Sequence, residues 1–263
     1  MFIAVAGIGW TTIEKVGISF VSVAVICMVI ITTVTLQTHL RAHEWSSKEQ
    51  LVLTALENQP QSVRAKMDFT EILAANGKLE ELLLHLNSSI LQHPEKGVFF
   101  VQRLMFTGAT GRSDSVVYDE ALSVLSDAPI GTPDALALIE LFNFRSANRF
   151  EWPTLEEVEL LFAAAMNGRK RLRAESVSVF HGVHADLLAK LNRLKEAEKS
   201  IRLSIAVRPN DIEPKLRLVK ILAMNGRELD ALDLLGELKT AVESDTRSVI
   251  DVMEKQLHAE LGY

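Results

Sequence analysis

The longest apolar run of the chain lies close to its amino terminus. From Val16 to Leu40 there is no Asp, Glu, Lys or Arg, and Val16 to Leu36 gives 21 mostly apolar residues. A helix of that length spans roughly 30 Å, which is the thickness of the hydrocarbon core of a bilayer. A buried helix of a globular domain would show a polar stripe, and a cleavable signal would end in a small-x-small site. The pattern therefore predicts a membrane anchor in residues 1–40, with a transmembrane helix at 16–36 that is retained.

After residue 40 the apolar positions recur with helical spacing, and the pattern itself repeats. An offset of 34 residues pairs Gly77 with Gly111 and Ala197 with Ala231. A repeat of this length holds two helices and a turn, and such a pair must stack on its neighbours to bury its apolar surface. The pattern predicts an all-α domain over 41–263. Its units are predicted at about residues 63–96, 97–128 in a degenerate form, 178–211 and 212–245, with a capping helix at 245–261.

The residues at the predicted helix crossings follow a family pattern. In one unit, Ala185 and Ala197 hold small positions, Leu188 holds a bulky position, Asn192 stands at the turn, and Pro209 ends the second helix. On these residues the chain resembles the tetratricopeptide repeat (TPR) family, and within it bacterial membrane-anchored TPR proteins. The resemblance implies a TPR-like α-solenoid of antiparallel helix pairs that follows one transmembrane helix.

The middle of the chain predicts helices that depart from this family pattern. Thr132-Pro133 marks the start of a helix over 132–146, and Thr154 with Glu157 forms a capping box for a helix over 153–167. The middle is therefore predicted to contain helical pairs of non-standard length.

Composition excludes several classes of function. The formal net charge is −6, and with only two Tyr and three Trp the chain lacks both the charge and the stacking surfaces of a nucleic-acid binder. The single cysteine, Cys27, lies in the apolar run, so the rest of the chain forms no disulfide or cysteine zinc site. No nucleophile elbow, phosphate loop, HExxH motif or dinucleotide fingerprint occurs. We expect no enzyme activity, no catalytic residue and no cofactor.

Two pairs of histidines have spacings that could hold a metal ion. His181 and His184 lie three apart, but the family pattern places both in packing positions and no third ligand is evident. His39 and His43 lie four apart beside the apolar run, where polar residues at a helix exit are the simpler interpretation. We therefore predict no metal site.

Short charged clusters also have structural interpretations. Glu80-Glu81 and Glu156-Glu157 stand near predicted helix starts, where carboxylates interact favourably with the helix dipole. The basic run from Arg169 to Arg173 reads as the solvated start of a helix, with anionic lipid or an acidic partner as the alternative.

The segment after the apolar run carries a second resemblance. The stretch Arg41-Ala42-His43-Glu44-Trp45-Ser46 is similar to the junction in bacterial polytopic membrane proteins whose last transmembrane helix leads into TPR units. Some of those proteins have glycosyltransferase-like membrane parts, and their repeats lie outside the cytoplasm. The resemblance implies an inner-membrane protein whose soluble domain is periplasmic.

The TPR resemblance also implies a binding surface. In TPR domains the first helix of each unit forms most of a concave groove for partner peptides. The matching positions in this chain, which we predict to contact a protein partner, are Arg64, Met67, Glu71, Asp186, Lys190, Glu213, Leu216 and Lys220.

The sequence leaves three functional hypotheses. The leading one is a non-enzymatic scaffold that is anchored in the bilayer through Val16 to Leu36 and binds protein partners during assembly of a bacterial envelope complex. The alternative is an accessory or C-terminal tail part of a membrane glycosyltransferase or polysaccharide system. The third is a structural tether.

Overall fold

The computed structural model describes residues 20–44, 47–167, 172–241 and 250–255. Every regular element in these ranges is an α-helix, so the all-α prediction is confirmed for the part of the chain that they cover. Residues 250–255 are also helical. The twelve longer helices are α1 (Phe20–Glu44), α2 (Lys48–Asn58), α3 (Val63–Ala75), α4 (Leu79–Gln92), α5 (Gly97–Ala109), α6 (Ser115–Asp127), α7 (Thr132–Ser146), α8 (Leu155–Asn167), α9 (Ala174–Lys190), α10 (Leu194–Val207), α11 (Ile212–Met224) and α12 (Glu228–Ala241).

Helix α1 contains most of the predicted transmembrane segment. Its apolar side chains are exposed, with Met28 at 69% and Ile31 at 64% of their full accessibility. Among the residues that the structure describes, no helix combines the length and the apolar character needed to cross a membrane. Residues 16–19, where the predicted span begins, lie outside the described residues. The transmembrane helix at 16–36 and the bilayer contact therefore stay predictions.

The chain divides into two compact units, Met1–Ile72 and Leu73–Tyr263. In the first unit α1 contacts α2, and the hydroxyl of Ser47 accepts a hydrogen bond from the Gln50 amide (3.1 Å) at the start of α2. This cap satisfies one of the amides that the first turn of a helix leaves without an intrahelical partner.

The second unit consists of helix pairs stacked side by side. Helices α5, α7, α9 and α11 contact one another in succession, and each also packs against the helix that follows it. Helices α6 and α8, the second members of two successive pairs, are likewise in contact. The arrangement is that of a helical repeat protein, in which each pair buries its apolar face against its neighbours.

The same turn follows α3, α5, α7, α9 and α11. In each turn one residue has a positive φ, between 52° and 71°. Its amide donates to the carbonyl three residues earlier, and the next amide donates to the carbonyl five residues earlier, which is the Schellman motif. The residues with positive φ are Gly77, Gly111, Asn148, Asn192 and Gly226. The spacing is 34 residues from Gly77 to Gly111 and from Asn192 to Gly226, as in the sequence repeat.

The middle helices begin where the sequence predicts. Helix α7 starts at Thr132, and the Thr154–Glu157 capping box forms ahead of α8, with hydrogen bonds of 2.7 and 3.2 Å. The carboxylate of Asp134 accepts from the Gly131 amide (2.8 Å) and from the Val98 amide (2.7 Å) in the first turn of α5. One buried side chain thus caps two helices of successive pairs.

The core of the last two pairs uses the small residues of the family pattern. Ala185, Ala197 and Ala231 are fully buried in one apolar cluster together with Leu188 and Ile250. Small side chains at a helix crossing allow the two backbones to approach closely. Ile250 belongs to the helical stretch 250–255, and the rest of the capping helix predicted at 245–261 lies outside the described residues. The predicted unit and domain boundaries stay predictions.

Candidate functional site

Five of the predicted groove residues lie on α9 and α11, the first helices of two successive pairs. The side chain of Arg217 joins these helices, because it contacts the carboxylate of Asp186 on α9 and that of Glu213 on α11 (3.0 Å). Burial raises the pKa of Asp186, and the nearby cations Arg217 and Lys220 oppose that effect. Two of the predicted anionic contacts are thus already occupied by an arginine of the same chain.

The remaining predicted groove residues on these helices are available to a ligand. Lys190 and Lys220 are exposed, and neither forms a salt bridge with any described residue. Leu216 is half-buried, and Val179, on the same face of α9 as Asp186, is 47% exposed. We call this surface the α9–α11 face: two ammonium groups, the apolar side chains of Val179 and Leu216, and a cluster in which the Arg217 guanidinium contacts the carboxylates of Asp186 and Glu213.

The three other predicted groove residues belong to the first compact unit. Glu71 on α3 forms a salt bridge with Lys48 on α2 (2.8 Å), and Arg64 pairs with Asp68 one turn later on α3 (2.9 Å). Met67 is half-buried. Both charged residues are therefore engaged within their own unit, through exposed pairs of the kind that contribute little to stability.

A buried polar cluster lies where α8, α9 and α10 meet. The ring of His184 is 3.2 Å from the Ser200 hydroxyl through Nδ1 and 3.6 Å from the Glu159 carboxylate through Nε2. Glu159 also binds Arg193 in the turn before α10 (2.9 Å). His184, Ser200 and Glu159 are each less than 8% exposed, so they hold three helices together.

The environment of His184 keeps the imidazole neutral. Burial lowers its pKa, and the Glu159 carboxylate opposes that effect. Phe162 stacks on the same ring, with the centroids 5.8 Å apart. Although serine, histidine and glutamate side chains meet here, the Ser200 hydroxyl donates to the His181 carbonyl (3.0 Å) and substrate has no access to it. His184 Nε2 makes no hydrogen bond within the described residues, and the buried cluster has the character of a structural network rather than a nucleophilic site.

The described residues contain no group of three or more His, Cys, Asp or Glu side chains placed to hold a metal ion. His181 and His184, the pair with metal-like spacing, are both buried in the helix packing. His39 is exposed on α1. Most of the basic run from Arg169 to Arg173 lies outside the described residues.

An open groove of about 500 Å³ is lined by residues of α10, α11 and α12. Ile205, Leu218, Leu234 and Leu238 form its apolar floor, and Arg202, Lys215 and Glu237 stand at its rim. Arg202 is already paired with Glu198 (2.8 Å). The groove offers a shallow apolar surface and no convergent set of reactive side chains.

Sequence reasoning missed two residues that organise these sites. Arg217 lies four residues after Glu213, a spacing that predicts a helical ion pair, but its contact with Asp186 crosses between repeats. Glu159 was not singled out, although its place between Val158 and Leu160 in an apolar stretch is a signal of burial.

No protein-family model matches the chain, and no curated protein matches it. Solved structures do resemble it at low identity. YrrB, described as a TPR protein with an unusual peptide-binding site, is 13% identical, with 80% of this chain and 84% of that chain covered and a TM-score of 0.44. PilF of Pseudomonas aeruginosa is 12% identical over 76% and 88%, with a TM-score of 0.41. A tetratricopeptide repeat protein from Parabacteroides merdae is 17% identical over 85% and 86%, with a TM-score of 0.37.

Proposed function

We propose that the protein is a non-enzymatic scaffold whose α9–α11 face binds a protein partner. The observation that carries this proposal is that Lys190 and Lys220, which form no salt bridge with the described residues, share the faces of α9 and α11 with the exposed Val179 and the half-buried Leu216. Such a surface suits an extended segment with acidic and apolar side chains. The Asp186–Arg217–Glu213 cluster fixes the spacing of the two helices that present it.

Photo-crosslinking tests the proposed face. A photoreactive phenylalanine in place of Leu216 is expected to capture one discrete partner in cells, whereas the same residue in place of the exposed Leu84 on α4 is not. Changing both Lys190 and Lys220 to Glu should abolish the adduct, because the acidic segment would then meet like charges. Equal adducts from both positions, or an adduct that survives the double charge reversal, would exclude the face as the binding site.

The scaffold is further proposed to be held at the bacterial inner membrane by α1. The apolar side chains of α1 leave no polar stripe, and Val25, Ile26, Val29 and Ile30 are each more than half exposed. The hydroxyls of Thr32, Thr33 and Thr38 donate to carbonyls one turn earlier, each at 2.8 Å. A hydroxyl that is satisfied inside its own helix lowers the cost of contact with hydrocarbon.

Alkaline carbonate extraction tests the anchor. The wild-type chain should stay in the membrane pellet, and the Ile26→Arg/Ile30→Arg variant should move to the supernatant, since two charges at these positions oppose burial in lipid. Leu84→Arg adds a charge at an exposed apolar position of α4 and serves as the control. Extraction of the wild-type chain into the supernatant would refute the anchor.

The repeat domain is proposed to face the periplasm, where it would recruit components of an envelope complex. This orientation follows from the similarity of the Arg41–Ser46 junction to that of polytopic TPR proteins. Protease added to intact spheroplasts should cut the repeat domain. Protection until the cells are lysed would place the domain on the cytoplasmic side instead.

A further inference from the structure

A basic residue follows each of the five Schellman turns in the part of the chain that the structure describes. It comes directly after the residue with positive φ. Three of the five directly precede the second helix of their pair, and the other two lie three and six residues before it. These five basic residues are Lys78, Arg112, Arg149, Arg193 and Arg227.

Three of the five cations are neutralised by a carboxylate three residues later. The pairs are Lys78 with Glu81 (3.3 Å), Arg193 with Glu196 (2.6 Å) and Arg227 with Asp230 (2.6 Å). Arg193 and Arg227 bind a second carboxylate on the preceding pair as well, at Glu159 (2.9 Å) and Glu198 (3.0 Å). At these turns the cation is a structural element whose charge is fully matched.

The two middle turns break this rule. Three residues after Arg112 stands Ser115, and three residues after Arg149 stands Trp152. Neither arginine forms a salt bridge with any residue that the structure describes. The guanidinium of Arg149 lies over the Phe144 ring, 4.8 Å from its centroid, which leaves the in-plane N–H donors of the guanidinium available.

Both arginines line one pocket of about 470 Å³, which we call the turn pocket. The other lining residues are Ser113, Phe150, Glu151 and Trp152 together with Gly108, Ala109 and Gly111. The pocket therefore combines two guanidinium groups with a hydroxyl and aromatic surface. Its lining comes from the turns of two successive helix pairs.

The shape of the turn pocket is fixed by close backbone packing. The Trp152 carbonyl approaches α5 so closely that a Cβ atom on Gly108 would lie 2.0 Å from its oxygen. On the other side, Arg145 Nε donates to the Pro153 carbonyl (3.0 Å). The segment that carries Phe150 and Trp152 is thus held from both sides.

We propose that the turn pocket binds a carboxylate or phosphate group through Arg112 and Arg149. Guanidinium groups bind both oxyanions through paired, charge-assisted hydrogen bonds, and two of them on one pocket can share a single ligand. Phe150 and Trp152 pack against the apolar part of the ligand, and Glu151 weakens binding by repulsion. The turn pocket lies outside the α9–α11 face, so the proposal stands or falls separately from the proposed function.

Calorimetric titration of the full-length chain in mild detergent tests the proposal, with pyrophosphate and citrate as probes at constant ionic strength. At least one probe should bind saturably, and Arg112→Gln or Arg149→Gln should weaken that binding tenfold or more. Glu151→Gln should strengthen it. Arg227→Gln is the matched control, since that arginine occupies the same place in a neutralised turn and its loss should leave binding unchanged.

Restoring the missing carboxylate gives a second test. Ser115→Glu places an acid three residues after Arg112, as at Glu81, Glu196 and Asp230, and is expected to weaken binding by neutralising that arginine. An acid in the first turn of α6 is favourable, so the fold should be retained. Ser123→Glu adds the same charge at an exposed position further along α6 and should have a much smaller effect.

The outcomes separate the ligand sources. Binding of pyrophosphate alone identifies a phosphate-bearing ligand, citrate alone identifies a carboxylate ligand, and both together identify a general oxyanion pocket. The proposal is overturned if neither probe binds saturably, or if the Arg112→Gln/Arg149→Gln double variant binds as the wild type does. A thermal unfolding midpoint equal to that of the wild type confirms that each variant is folded.

Discussion

His184 makes the stability of the chain depend on pH. Burial lowers its pKa, so in the folded chain the imidazole stays neutral at pH values where the unfolded chain, with a histidine pKa of about 6.5, binds a proton. Stability is therefore fully present above pH 6.5 or so and decreases as the pH falls toward the lowered folded pKa. Urea unfolding in mild detergent should show this decrease in the wild type and a smaller one in His184→Gln.

Other ionisable groups could produce a similar decrease, and a second histidine variant controls for them. His39 is exposed on α1, so His39→Gln should leave the pH dependence of the wild type unchanged. An equal pH dependence in the wild type and in His184→Gln would contradict this prediction. It would show that the neighbouring Glu159, Arg193 and Ser200 stabilise protonated His184 in the folded chain.

Asp134 is the second residue on which the fold depends. Its two oxygens accept from the Gly131 and Val98 amides, so Asp134→Ala leaves a buried amide without a partner. We expect Asp134→Ala to reduce the free energy of unfolding by about 2–3 kcal/mol. Asp134→Asn should cost less, because one acceptor remains and the buried charge, whose burial raises the pKa of the carboxyl, is removed. A loss below about 0.5 kcal/mol in denaturant titration of Asp134→Ala would contradict this role.

At the scale of elements, the packing of α5 against the 150–152 segment depends on one glycine. A Cβ on Gly108 would meet the Trp152 carbonyl at 2.0 Å, whereas a Cβ on Gly236 in α12 meets no atom within 4 Å. Gly108→Ala is expected to lower stability by roughly 2 kcal/mol or more. Gly236→Ala, the matched control, should raise it by about 0.5–1 kcal/mol through helix propensity. Similar unfolding midpoints for the two variants would mean that the segment shifts at little cost.

The helices of the repeats could largely be predicted from the sequence, because they follow local signals. The pattern at Thr132-Pro133 and the Thr154–Glu157 box located α7 and α8 to within two residues. The turn at Asn148 was missed, although Asn148-Arg149 repeats the Asn192-Arg193 pattern. Its distance to the neighbouring turns is not 34 residues, so it does not align with them at the offset of the sequence repeat.

The candidate site could be predicted only in part, because its contacts join distant parts of the chain. Family positions placed Asp186 and Glu213 on successive first helices. The residue that joins them, Arg217, lies four residues after Glu213 but 31 residues after Asp186, and a contact over that distance in sequence leaves no local signal. The turn pocket could not be predicted either. The absence of a carboxylate at position 115 can be read from the sequence, but the packing that brings Arg112 and Arg149 to the same pocket cannot.

At the scale of the whole second unit, contacts run mainly between neighbouring helix pairs, so a local defect should stay local. Leu235 in α12 is fully buried in the cluster of the last two pairs, and Leu235→Ala should cost about 2–5 kcal/mol there. Hydrogen exchange followed by mass spectrometry should then show faster exchange in α11 and α12 and little change in α5 and α6. Leu104→Ala, at a fully buried position of α5, should give the reverse distribution. Equal acceleration along α5 to α12 in both variants would mean that the pairs unfold as one cooperative body, in which case a ligand in the turn pocket would stabilise the α9–α11 face as much as its own surroundings.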